Sequence, residues 1–256
     1  VIGVCGRYAS TKNPALLAAE FDAVDGTEGV APGPDYNVAP TKQVLAVVER
    51  HPRDDEGNPD PDTTERSVRV MRWGLVPHWA KDLSGAAKMI NARAESVLAK
   101  PAYRDSAAKR RCIVPAAGWY EWQPGEGRKQ PYFINPGDDS SIAMAGIWSV
   151  WWQQEGDERK PIITCAVLTT DAIGEMTSVH HRMPLVLPKD RWAAWLDPDN
   201  ADPKDLLEPD LGLVDALELR PVSMKVNSIK NNDPSLMAAV PLGESEKPEP
   251  TLFELK

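Results

Sequence analysis

The apolar residues of this chain fall in short runs parted by proline, glycine and acidic stretches, and that spacing excludes a helical bundle, a coiled coil and a membrane-spanning helix at once. Residues 43–49 alternate around Val44, Leu45 and Val47, and residues 67–73 repeat the pattern, so both read as strands. Further strands are expected at 112–114 and 118–122, with Pro115 as an interruption, and at 132–134, 142–148, 162–168 and 185–187. Helices are expected at 15–21, after Asn13-Pro14, and at 92–99, 103–109, 172–177 and 189–196. Polar insertions at 53–64, 124–129, 153–160 and 197–210, and the tail after Gly243, read as surface loops. Strands dominate without regular alternation with helices, and no glycine-rich phosphate loop follows a strand. The expected fold class is α+β, one domain over residues 1–256, with a curved or barrel-like mixed sheet and peripheral helices.

Charge and cysteine content narrow the function classes. A formal net charge of −9 argues against a general nucleic-acid coat protein, because phosphate binding rests on Lys and Arg. Arginine nevertheless recurs beside the motifs described below, at Arg7, Arg72, Arg93, Arg104, Arg110, Arg111 and Arg182. Two readings stay open: a local basic cleft on an acidic body, or arginines spread over a solvated surface. Three cysteines, Cys5, Cys112 and Cys165, form neither a disulfide framework nor a zinc motif. No metal or cofactor is expected. Cys112 and Cys165 sit in apolar runs and read as core, whereas Cys5 is followed by glycine and arginine. No apolar run reaches the roughly 18 residues of a membrane span and no signal peptide is evident, so a cytoplasmic location is expected.

Four segments place reactive side chains among aromatics and turn formers: Cys5-Gly6-Arg7-Tyr8, Asn91-Ala92-Arg93-Ala94-Glu95, Gly118-Trp119-Tyr120-Glu121-Trp122 and His180-His181-Arg182-Met183-Pro184. On an alternating strand, Glu121 shares a face with Trp119, and Tyr120 and Trp122 share the other. If the Glu121 face is interior, burial raises the pKa of the carboxyl into a range useful for proton transfer; if exterior, Glu121 is a solvated acid.

Together with Y-N-V-A-P-T at residues 36–41, R-W-G-L-V-P-H-W at 72–79, R-C-I-V-P-A-A-G-W-Y-E-W at 111–122, A-G-I-W at 145–148 and V-N-S at 226–228, these segments give a chain that resembles the SRAP (SOS-response-associated peptidase) family. That family includes abasic-site DNA–protein cross-linking proteins of bacteria and a related human damage sensor. The resemblance implies a sensor and shield of abasic sites in single-stranded DNA at replication forks, nucleoid-associated when bound, monomeric and without membrane attachment. It implies that the α-amine of an N-terminal Cys5 condenses with the sugar aldehyde and its thiolate closes a thiazolidine ring. Glu121 and His180 would move protons, and Asn91 would orient the sugar or the cysteine. Arg7, Arg93 and Arg182 would hold phosphates, and Trp73, Leu75, Val76 and Pro77 would form an apolar wedge for bases. Core packing is the competing reading of Trp73, and Trp119 and Trp148 read as core. Weak lyase activity also belongs to this picture.

The chain departs from the family pattern at its start, where Val1-Ile2-Gly3-Val4 precedes Cys5. While Val4 is attached, the Cys5 nitrogen is an amide and cannot condense with an aldehyde. A mis-set start, with Val4 standing for an initiator methionine, is the favoured account over a propeptide or added residues. Two other functions compete with covalent capture: a self-processing cysteine peptidase using Cys5 and His180, and a non-covalent binder of damaged or modified DNA.

Overall fold

The computed structural model describes residues 5–125 and 127–242; Val1–Val4, Glu126 and the tail after Leu242 lie outside the described residues. The first part of the chain runs β1 (Arg7–Ser10), α1 (Pro14–Phe21), β2 (Val24–Asp25), β3 (Asp35–Val38), β4 (Gln43–Arg50), β5 (Glu65–Trp73) and β6 (Asn91–Arg93). It continues with α2 (Arg104–Lys109), β7 (Arg111–Ala116), β8 (Gly118–Gln123), β9 (Gln130–Asn135), β10 (Ile142–Glu155) and β11 (Glu158–Asp171). Last come β12 (Arg182–Pro184), α3 (Trp192–Leu196), α4 (Leu211–Asp215) and β13 (Glu218–Pro221).

Five strands close on themselves in the order β4, β5, β11, β10, β7. The closure is made by parallel pairing of β5 with β11, Arg72 opposite Thr164 and Trp73 opposite Cys165, and by a contact of β4 with β7 at Val47 and Ile113. The other barrel pairings are antiparallel. Closure removes exposed strand edges, which is how a strand-rich chain avoids edge-to-edge association. A second sheet, β13-β9-β8-β1-β3, is antiparallel throughout. Alternation sorts the side chains: Val44, Ala46, Val48, Met71, Trp73, Cys112, Cys165 and Val167 share one core cluster with Cys5, Tyr8, Trp119 and Ile134. Leu45, Val47, Val68, Ile113 and Leu168 point the other way, into a cluster with Leu17 and Phe21 of α1 and Trp195 of α3. The α+β, barrel-based architecture expected from the sequence is the one found.

Several elements differ from expectation for identifiable reasons. The helix expected at 92–99 is strand β6 followed by a 3₁₀ turn at Ala94–Ser96, because Asn91, Ala92 and Arg93 pair in parallel with Val167, Leu168 and Thr169. Tertiary pairing overrides helix propensity there. Pro115 does not interrupt β7: it lies beyond the single β4 contact at Ile113, where β7 is paired only with β10, and a missing N–H costs no ladder bond. Residues 153–160 are no loop but the paired tip of the β10–β11 hairpin, turned by Gly156-Asp157, with Gly156 at φ +61°. The strand expected at 185–187 sits earlier, at Arg182–Pro184, followed by a lone bridge from Val186 to Met144. The helix expected at 172–177 is a 3₁₀ turn at Gly174–Ser178. That at 189–196 begins as a 3₁₀ turn and becomes α-helical at Trp192.

Gly118 opens the strand that carries Glu121, and a Cβ there would collide with the Phe133 ring and the Ile134 carbonyl of the paired strand. Gly118→Ala is therefore expected to cost about 1–3 kcal/mol by overpacking, lowering the melting midpoint by several degrees in calorimetry. Gly33→Ala, where a Cβ meets nothing within 4 Å, serves as the comparison and should leave the midpoint in place.

Candidate active site

Strand β8 lies between β1 and β9, so Glu121 projects from the middle of the second sheet on the face it shares with Trp119. Tyr120 and Trp122 turn to the opposite cluster. Glu121 is 5 % exposed, which answers the question its alternation left open. A buried carboxylate needs donors. Its Oε2 accepts the backbone N–H of Cys5 at 3.0 Å and faces the Cys5 Sγ at 3.5 Å, while Oε1 accepts the Trp122 N–H at 3.3 Å. Burial raises the Glu121 pKa above the usual carboxylate value. The Cys5 backbone hydrogen bond and the nearby His180 oppose that rise.

Cys5 is itself buried, and burial followed by the adjacent Glu121 charge pushes its thiol pKa well up, against a weaker pull from Arg182. In this state the sulfur carries its proton, and the group placed to take it is Glu121. The Cys5 backbone is left-handed, φ 48°, a conformation that costs a non-glycine residue about 1–2 kcal/mol. Here it directs the amide nitrogen and the sulfur to the same carboxylate oxygen. His180 is half-buried, and its Nδ1 accepts the Arg182 backbone N–H at 3.0 Å, so the neutral ring carries its proton on Nε2. The exposed His181 packs against that ring, centroids 4.2 Å apart.

The structure thus brings Cys5, Glu121, His180 and Arg182 into one electrostatic neighbourhood. Asn91 sits on β6 beside Val167, and its neighbour Ile90 belongs to the core cluster that contains Cys5. The three arginines assigned to phosphates have different fates. Arg7 is buried and its guanidinium is spent on Asn37 Oδ1 at 2.7 Å and the carbonyls of Val226 and Asn227, which ties the Y-N-V motif to the V-N-S segment. Arg182, also buried, donates to Glu95 Oε1 and Asp171 Oδ1, each at 2.6 Å, and to the Thr169 carbonyl at 2.7 Å. Both guanidiniums are engaged within the fold, Arg182 by two carboxylates and Arg7 by an amide oxygen and two carbonyls. Arg93 alone of the three is exposed and makes no ion pair among the described residues.

The apolar wedge is corrected. Trp73, Leu75 and Val76 are at most 2 % exposed and Pro77 is buried, with Trp73 Nε1 donating to the Ile90 carbonyl and the indole edge-on to Tyr8. They are core, and they form no stacking surface. The exposed aromatic of that segment is Trp79, at 62 %. Its signal in the sequence was its place after Pro77, where the apolar run has ended. Arg111, another motif arginine, is buried and donates to the carbonyls of Ala107, Ala108, Trp195 and Asp197, capping the ends of α2 and α3. Cys112 and Cys165 are fully buried, as their apolar runs suggested.

Comparison with known proteins agrees with this architecture. A protein of Bacillus subtilis named abasic site processing protein YoaM is 38% identical over 239 residues, covering 92% of this chain and 98% of its own. The Gallus gallus abasic site processing protein HMCES is 31% identical, over 82% of this chain and 67% of its own. A crystal structure of a Bacteroides thetaiotaomicron protein superposes with a TM-score of 0.75 over 93% of this chain and 100% of its own, at 24% identity, which shows the shared fold. The sequence profile described as SOS response associated peptidase (SRAP) matches residues 4–229. The chain belongs to the SOS response associated peptidase (SRAP) family.

Proposed function

We propose that this protein processes abasic sites in DNA, and that it does so by covalent capture of the open-ring sugar in single-stranded DNA through Cys5. One observation carries the reading: the nitrogen and the sulfur of Cys5 lie within 3.0 and 3.5 Å of one buried carboxylate oxygen. These are the two atoms that a thiazolidine joins to a single aldehyde carbon. The names of the relatives support the abasic site as substrate.

With the α-amine free, its nitrogen adds to C1′ of the aldehyde and water leaves, giving an imine. The sulfur then adds to the same carbon, and the thiol proton passes through Glu121 to the nitrogen. Ring closure makes the adduct durable, because an open imine hydrolyses. A carboxyl with a raised pKa suits both halves of this transfer. His180, with its proton on Nε2, is the donor for the sugar ring oxygen, and Asn91 positions the sugar. Arg93 is the exposed cation for a flanking phosphate and Trp79 the exposed ring for a base. The reading places the protein in the cytoplasm, acting as a monomer on DNA exposed at replication forks.

Self-processing is a second reading, favoured by the left-handed Cys5 backbone and by the hydrogen bond from its amide to Glu121. In that reaction the Cys5 sulfur attacks the Val4 carbonyl carbon, and Glu121 carries the thiol proton to the departing nitrogen. Water then hydrolyses the thioester. The product is the free amine that capture requires, so the two reactions are consecutive.

Protein beginning at Cys5 should form a heat-stable adduct with abasic single-stranded DNA on denaturing gels without a reductant. Cys5→Ala should abolish the adduct and Cys112→Ala leave it intact, and Glu121→Gln should slow its formation by a factor on the order of 10². An undiminished adduct with Cys5→Ala would end the proposal. For the longer chain, intact mass spectrometry should show conversion to a species starting at Cys5 in wild type and none in Glu121→Gln.

The folded-state pKa of Glu121 is raised, so between its unfolded and folded values the folded state binds more protons than the unfolded state. Stability contributed by this group therefore falls as pH rises through that window. In denaturant titrations from about pH 4, roughly the unperturbed carboxylate value, upward, wild type should lose stability relative to Glu121→Gln. A constant difference between the two across the range would refute the assignment.

A further inference from the structure

Away from Cys5, a cleft of about 430 Å³ opens where the end of β4, the end of α2 and the middle of β10 meet. Arg50, Arg53, Lys109 and Arg110 line it, over a wall formed by Trp148 and Val150. Val150 pairs with Ile163 on β11, whereas the Arg182 cluster grips Thr169. Six residues at about 3.3 Å each separate the two places by roughly 20 Å along one strand.

The charges of this cleft are unbalanced. None of the four cations forms an ion pair among the described residues, although the chain holds 38 acidic residues against 29 basic ones. The one carboxylate in the lining, Glu49, is already held by Arg66 at 2.9 Å and by Thr64. His51, also in the lining, is occupied elsewhere: Nδ1 faces the Thr63 carbonyl at 2.8 Å and Nε2 is paired with Asp199 at 3.2 Å, so it brings no net charge to the cleft. The Arg50 guanidinium lies over the Trp148 ring, its central carbon 5.2 Å from the ring centre and within cation–π range. Partial burial, and then the charges of Arg53 and Arg69, hold its pKa below the ordinary arginine value. Arg110 contributes a buried Nε without a hydrogen-bond acceptor among the described residues, and its Nη2 lies 3.5 Å from Ser106 Oγ. That N–H is open to an acceptor from a ligand.

We propose that this cleft is a second ligand site, taking a phosphate ester of nucleotide size. The phosphate oxygens would be held by Arg50 and Arg110, and the organic part would lie against the apolar wall. Its volume falls within the range of small-ligand sites, and bidentate guanidinium pairing is the recognition mode for which such arginines are suited. The free nucleotide and a nucleotide unit of a DNA strand present the same chemistry. The site makes no use of Cys5, so it stands apart from the capture reading.

Calorimetric titration of the whole chain with inorganic phosphate, with 2′-deoxyadenosine 5′-monophosphate and with a 5′-phosphorylated oligothymidine lacking abasic sites tests the proposal. At least one of the two phosphate esters should bind. The pair Arg50→Ala and Arg110→Ala should weaken that binding at least about tenfold, as should Lys109→Glu at an exposed position where the fold is not at risk. Cys5→Ala should bind as wild type does. Binding of the mononucleotide assigns the free compound as ligand, and binding of the oligonucleotide alone assigns the strand. Absence of binding by both esters, or affinities unchanged in Lys109→Glu, would overturn the proposal.

Discussion

A carboxylate buried between two sheets is the constraint around which this molecule is arranged. Glu121 would be costly at 5 % exposure without donors, and the donors it finds are the backbone of its own strand and the backbone of Cys5. That requirement pins the start of the described chain to β8, immediately before β1 pairs Arg7 with Tyr120 and Tyr8 with Trp119. The same carboxylate thereby holds the nitrogen and sulfur of one cysteine together. Structure and chemistry draw on a single interaction at this point.

Around it, the buried arginines act as girders. Arg7 binds the segment at Val226–Asn227 to β1 through Asn37, Arg182 draws Glu95 and Asp171 together beside His180, and Arg111 gathers the carbonyl ends of two helices. Each replaces water with several fixed acceptors, which is the role a planar, always-charged fork fills best. Motif arginines thus divide into those consumed by the fold and those left facing solvent. Arg93 belongs to the second group, and so do the cations of the cleft near Trp148. The formal charge of −9 conceals this division, because it sums over the whole chain.

Some of this was legible in the residues alone. The strands at 43–49 and 67–73, the first helix after Asn13-Pro14, and the face shared by Trp119 and Glu121 all follow from local pattern, because period and capping are properties of neighbouring residues, whereas the inward direction of that face does not. The hairpin tip was missed: its polar flanks read as a loop, although Gly156-Asp157 is a two-residue turn signal. Residues 91–93 were not legible: Asn-Ala-Arg-Ala-Glu has good helix propensity, and only the parallel ladder with β11 makes it a strand.

The sequence by itself determined which chemistry this protein can offer: one cysteine outside the apolar runs, one acid flanked by aromatics on an alternating strand, and a histidine, His180, two positions before an arginine. Tertiary structure decided which of those groups meet and which are spent. It joined Cys5 to Glu121 across 116 positions, buried Trp73, Leu75, Val76 and Pro77, and left four cations near Trp148 without an ion pair among the described residues. The reason is that reactivity belongs to side chains, whereas exposure and pairing depend on barrel closure. Closure is a non-local event, and its partners, Trp73 and Cys165 or Val47 and Ile113, lie too far apart along the chain for any local pattern to register.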